Sequence, residues 1–245
     1  MDRPLAIFDG DDTLWFVEPL YDKARSQAGR LVAAAGLDPL TWEVVEREID
    51  VRNVEILGVS PARFPTSCVE AYRQLAEQSD RHPDPSVEER IRGAAEQVFR
   101  WAATPADGIP GILDELRFHF TLVLLTKGDP VVQRKRVDDS GVASKFDEIR
   151  ICPEKSERQF RDVLADHDAE PTSAWSIGNS LASDVNPALR IGMRAIWVDA
   201  HVWEYERREL DPVHESLISA PNLSVAVDVL LKMVAGSGSS WNHVS

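Results

Sequence analysis

Between residues 105 and 198 the chain repeats one pattern: a short apolar run, a breaker, an amphipathic stretch, then another apolar run. The apolar runs cover residues 120–125, 146–151, 174–177 and 195–198, and helical spacing is read at 110–116, 130–139, 157–165 and 185–191. Strands that alternate with helices of this length meet side by side only through helical crossovers. The pattern therefore predicts a parallel sheet with helices on both faces, the doubly wound α/β class. Leu5-Ala6-Ile7-Phe8 is a further apolar run, fit for a buried strand of the same sheet. Residues 222–234 read as a last amphipathic helix, and Gly236-Ser237-Gly238-Ser239-Ser240 begins a flexible tail.

The stretch between the first strand and this repeat has a different character. Apolar residues recur at helical spacing over 19–35, 39–57, 67–78 and 86–101. Breakers separate the four: Gly36-Leu37-Asp38-Pro39, then Gly58-Val59-Ser60-Pro61 with Phe64-Pro65, then His82-Pro83-Asp84-Pro85 ahead of Ser86 as N-cap. The organisation expected is an α/β core from residues 1–16 and 106–235, an all-helical insert at 17–105 and a tail at 236–245. A length of 245 residues accommodates both parts, and 43% hydrophobic with 28% charged residues is the composition of a packed, soluble chain.

Charge narrows the partners. With 27 Lys and Arg against 41 Asp and Glu, the formal net charge of −14 argues against a nucleic-acid polymer or an anionic membrane as partner. No apolar run has the length of a signal core or a membrane span, so a cytoplasmic protein is expected. Cys68 and Cys152 lack metal-type spacing and read as two reduced thiols. No feature of the sequence specifies an oligomeric state.

In open α/β sheets ligands bind beyond the carboxyl ends of the strands. The residues there are Asp9, Asp11 and Thr13 after the first strand, Thr126-Lys127-Gly128 after the second, Lys155 after the third, and Gly178-Asn179-Ser180 with Asp184 after the fourth. Carboxylates crowded at the end of a buried strand repel one another, so a fold that keeps them needs a cation or a reaction to offset the cost. An aspartate nucleophile, a second acid, a hydroxyl beside backbone amides, a lysine and a late acidic metal ligand together can hold and transfer a phosphoryl group. An EF-hand loop also begins Asp-x-Asp, but its sixth and twelfth positions would be Leu14 and Leu20 instead of Gly and Glu, which excludes it.

With these motifs in order the chain resembles the haloacid dehalogenase superfamily of Mg-dependent phosphohydrolases. Asp9-Gly10-Asp11-Asp12-Thr13 matches the family's Asp-x-Asp-x-Thr, Thr126 its second motif, Lys155 its basic third, and Gly178 to Asp184 its acidic fourth. The resemblance implies a helical cap in place of the insert and a small phosphate ester as substrate. It implies that Asp9 attacks phosphorus to give an aspartyl-phosphate, and that Asp11 protonates the leaving alcohol and then activates water. Thr126, Lys127 and Lys155, with Gly10 and the amides after Asp9 and Thr126, would hold the phosphoryl oxygens. Asp9, the Asp11 carbonyl and Asp184 would bind Mg²⁺, with Asn179 accepting from a metal-bound water.

Two positions depart from the family's pattern: Asp12 stands where many relatives have glycine, and Asn179 where many have an acid. Trp15 and Trp203 are expected at the mouth of the site, and Arg52 and Arg63 in the cap are candidates for selecting an anionic substrate. A phosphomutase shares the whole core set. A non-catalytic binding or regulatory protein on the same fold would be marked by loss of Asp9 or Asp11, and both are present.

Overall fold

A strand covered on both faces must be apolar at every position, and Leu5–Phe8 is. In the computed structural model, which describes residues 3–202, 206–210 and 215–236, this segment is strand β1 with all four residues buried. Trp203 and residues 237–245 of the expected tail lie outside the described residues, while Gly236 closes the last helix. Contacts divide the chain into two compact units, Met1–Phe16 with Ala103–Ser245, and Val17–Ala102.

In the first unit β1 is a central strand of a six-stranded parallel sheet. Its partners are β4 (Thr121–Lys127), β5 (Glu148–Cys152), β6 (Ala174–Gly178), β7 (Arg194–Val198) and β8 (Leu217–Ala220), in the order β5-β4-β1-β6-β7-β8. The order reverses beside β1, whose neighbours β4 and β6 both come later in the chain. Such a switch point leaves a crevice at the carboxyl ends of the strands. Leu5 and Ile7 point with Val123 and Leu125 into a core that also holds Phe160, Val163 and Leu164. The last three belong to α7 (Glu157–Asp166), which starts on a reciprocal capping box between Ser156 and Gln159. On the other face Phe8 meets Phe146 edge to face at 6.2 Å. Helices α5 (Ile109–Leu116), α6 (Pro130–Ser140), α8 (Asn186–Arg190) and α9 (Leu223–Gly236) complete the unit.

The doubly wound parallel sheet is as the sequence predicts, and the differences are local. Strand β4 runs through Thr126 and Lys127, so these residues end the strand instead of following it. The helix expected at 185–191 is split: Leu181–Val185 forms one wide π-type turn, and Pro187 lies in the first turn of α8. Strand β8 and the antiparallel pair β2 (Trp15–Phe16) with β3 (Thr104–Pro105) have no counterpart in the sequence reading.

The second unit is four helices, α1 (Glu18–Ala34), α2 (Pro39–Leu57), α3 (Arg63–Gln78) and α4 (Pro85–Glu96), followed by one 3₁₀ turn at Gln97–Phe99. Helix α3 starts four residues earlier than the sequence suggests. Pro65 acts as a first-turn residue there, where a missing N–H costs nothing, and not as a breaker. At α4 the cap is Asp84, whose carboxylate accepts from Ser86 N at 2.8 Å, because Pro85 takes the first helical position. Buried charges join these helices. Arg25 on α1 donates to Glu46 on α2 at 3.0 Å, and Arg63 on α3 donates to Asp50 on α2 at 3.2 Å. Burial raises the Glu46 carboxyl to about 7, further than Arg25 brings it down.

Candidate active site

The turn after β1 is shaped by its two ends. Leu14 N donates to Gly10 O at 2.8 Å and Asp12 N to Trp15 O at 2.7 Å, which folds residues 10–15 back on themselves. Asp12 closes the turn at φ +58°, the left-handed region that Asp tolerates better than most side chains. Gly10 has no side chain to spare room for: a Cβ there would lie 2.5 Å from the Trp15 ring and 3.2 Å from Thr126 Oγ1.

This turn aims Asp9 at a shared cation. Lys155 Nζ donates to Asp9 Oδ1 and, at 2.7 Å, to Asp184 Oδ1, so one buried ammonium serves two carboxylates. Asp9 Oδ2 accepts from Thr13 Oγ1 at 3.0 Å. Burial first, and the neighbouring Asp184 next, push the Asp9 carboxyl up to about 7 against the pull of Lys155. Burial alone would depress the Lys155 ammonium, but Asp184 and Asp9 hold it above the usual lysine range.

Asp184 owes its place to the wide turn. Ser180 N donates to its Oδ2 at 2.9 Å, and its own carbonyl accepts from Ser176 Oγ at 2.8 Å. A side chain at Gly178 would overlap the carboxylate, so the end of β6 must be glycine for Asp184 to come this close. An extra residue in a helical turn commonly marks a functional position, because it re-aims a side chain that regular geometry would point elsewhere.

Thr126 is buried beside this group, and among the described residues its hydroxyl has no hydrogen-bond partner. A buried hydroxyl left unpaired costs on the order of 1–3 kcal/mol, and a ligand oxygen would recover it. Asn179 is also at hand: Thr13 Oγ1 lies 3.2 Å from its Oδ1, while its amide donates to the His201 carbonyl. Two expected residues are engaged elsewhere. Lys127 pairs with Glu206 and donates to Ser183 Oγ at 3.0 Å, so its charge is already met. Arg63, in the helical unit, is buried against Asp50, whereas Arg52 is exposed on α2.

Asp11 shows what the sequence reading missed. Its Oδ1 accepts from Trp15 Nε1 at 2.7 Å, and its Oδ2 accepts from Gln133 Nε2 at 2.9 Å and from Arg136 Nη1. Trp15 is thus fully buried and bonded to the acid two residues beyond Asp9. The only sequence signal for Gln133 and Arg136 is their i, i+3 spacing early in the helix after β4, which surface residues share.

Among the described residues no group of three or more His, Cys, Asp or Glu side chains is arranged to hold a metal ion. Mg²⁺ does not require such a cage, since it keeps several waters and takes one or two carboxylates. Asp9 and Asp184 supply two carboxylates around a single ammonium, so the group holds more negative charge than Lys155 balances. This all-oxygen donor set fits a small hard cation.

No family model matches the chain. Among curated proteins, the mouse (Mus musculus) N-acylneuraminate-9-phosphatase is 30% identical over 118 residues, 43% of this chain and 48% of that protein. The glyceraldehyde 3-phosphate phosphatase of Methanopyrus kandleri is 25% identical over 223 residues, 88% of this chain and 92% of that protein. The chain spans about half the length of the first of these relatives. The crystal structure of a haloacid dehalogenase-like family hydrolase from Xanthomonas campestris aligns at TM-score 0.75 and 25% identity, covering 96% of this chain and 94% of that one. The sheet order, the acids at the end of β1 and these likenesses agree: the chain is similar in fold and in its first motif to haloacid dehalogenase-like hydrolases.

Proposed function

We propose that this chain is a phosphohydrolase that removes the phosphoryl group from a small phosphomonoester through an aspartyl-phosphate on Asp9, with Mg²⁺ as cofactor. One observation carries the reading. A carboxylate at the end of β1 shares its lysine with a second acid, beside a buried hydroxyl that no group among the described residues satisfies.

In this reading Asp9 forms a bond to phosphorus as the bond from phosphorus to the leaving oxygen breaks, and Asp11 gives its proton to that oxygen. Asp11 then takes a proton from water as the water oxygen bonds to phosphorus and the bond to Asp9 is broken, which restores both residues. Thr126 donates to a phosphoryl oxygen, and Lys155 offsets charge between Asp9 and the phosphoryl group. Thr13 fixes the rotamer of Asp9 through its bond to Oδ2. Mg²⁺, held by Asp9, the Asp11 carbonyl and Asp184, would supply positive charge for the phosphoryl oxygens and keep Asp9 ionised. The two curated relatives are named as phosphatases of small phosphate esters, which supports the substrate class.

Release of inorganic phosphate from p-nitrophenyl phosphate tests this. Turnover with Mg²⁺ is expected to vanish with a chelator and to fall by about 1000-fold or more in Asp9→Asn. Turnover that survives either change overturns the mechanism.

A further inference from the structure

We propose that Gln133 and Arg136 are positioning residues for the acid/base Asp11, an assignment that rests on the phosphohydrolase reading above. Both stand on α6 one turn apart, and both send a donor to the same oxygen, Asp11 Oδ2. Trp15 holds the other oxygen, so the carboxylate is fixed at both ends.

The geometry has two features that a simple anchoring ion pair would not need. First, the donors are buried behind the acid, with Gln133 2% and Arg136 7% exposed, whereas the Asp11 side chain keeps 22% exposure. The acid is held by buried donors while its own side chain stays partly exposed. Second, Gln133 is itself tied to the end of β4, where its Nε2 donates to the Lys127 carbonyl at 2.6 Å. Gly128, at φ +144°, lets this amide pass, since a Cβ there would lie 3.0 Å from Gln133 Nε2. Asp129 then starts α6 by accepting from Val131 N and Val132 N. The strand that carries Thr126 therefore sets, through one turn and one amide, where Asp11 sits.

Asp11 must serve two steps: proton donation to the leaving oxygen, then proton removal from water. Its resting place matters most in the second step, where no substrate group is left to draw it in. An aryl phosphate isolates that step, because nitrophenolate leaves without needing a proton. In Arg136→Met and Gln133→Leu the first release of nitrophenolate is expected at the native rate, followed by steady turnover slowed by about 10- to 100-fold. A burst of one nitrophenolate per chain should therefore appear that the native enzyme lacks, with KM for the aryl ester no higher. Arg136→Lys keeps the charge but not the planar fork, and should give the same burst with a smaller loss. It also serves as the test if Arg136→Met does not fold.

Variants that match native turnover, or that lose the first release and steady turnover together, overturn the assignment while Asp9-dependent turnover of the native chain leaves the function standing. A native chain that releases no phosphate from any ester with Mg²⁺ instead overturns the function, and this assignment with it.

Discussion

Asp9 and Glu46 are both carboxyls raised to about 7 by burial, and both face a cationic side chain, Lys155 for one and Arg25 for the other. By acidity alone the two are indistinguishable, yet their settings differ. Asp9 stands where one strand ends, within reach of residues from the loops after β5 and β6, beside a hydroxyl with no partner among the described residues. Glu46, on α2 and bonded to Arg25 of α1, also keeps a buried oxygen, Oε1, without a partner among the described residues, but it lies amid helices whose other polar groups bond to one another: Ser67 donates to Asp50 at 3.0 Å, and Asn53 to Glu70 at 2.8 Å. An unpaired buried oxygen therefore does not separate the two; a perturbed acid marks a site when the ends of several strands converge on it. Without them it marks packing.

Removing the cation from each pair is the strongest way to break this comparison. Arg25→Met leaves Glu46 buried without its partner and should destabilise the helical unit by about 3–5 kcal/mol in thermal or urea unfolding, most of it recovered by adding Glu46→Leu. A cost below about 1 kcal/mol would show that the pair contributes little to packing. Lys155→Met should instead appear in catalysis, as a fall of about 100- to 1000-fold in phosphate release, because the charge it offsets develops during the reaction. An unchanged rate would place Lys155 with the structural pairs.

A smaller effect sharpens the Glu46 side. Its carboxyl is raised from 4.5 to about 7, so the folded state binds the proton more tightly than the unfolded chain does. The stability this contributes is present in full below about pH 4.5 and is lost as pH rises through 7. Between pH 5 and 8 the helical unit should lose up to about 3 kcal/mol, and Glu46→Gln should flatten that slope. A profile that Glu46→Gln leaves unchanged would assign the titration to another group. The smallest effect belongs to Asp12. Since Asp12 already holds φ +58°, Asp12→Gly should move stability by less than about 1 kcal/mol and leave activity largely intact. A loss as large as that of Asp9→Asn would give Asp12 a role of its own.

Much of the site is legible in the sequence because its signals are local. Leu5–Phe8 is apolar throughout and runs straight into Asp9 and Asp11, so strand and acids identify each other. Thr126, Lys155 and Asp184 are legible for the same reason, each lying at or just beyond a readable strand. Gln133 and Arg136 are not, since a polar pair one turn apart usually faces water, and only the path of α6 turns it toward Asp11. Lys127 errs the other way: its position beside Thr126 suggests phosphate, but Glu206 from far along the chain takes its charge. Strand β8 escapes because Leu217–Ala220 is a four-residue segment that becomes a strand by pairing with β7.

The sequence by itself determined the alternation of strands and helices, the helical insert and the acids that end β1. Those properties follow from periodicity and from neighbours in the chain. Only the tertiary structure decided which charges meet. Lys155 reaches Asp9 across 146 positions, and Arg136 reaches Asp11 across 125. Coulomb attraction and desolvation depend on distance and burial in space, which residue spacing does not encode.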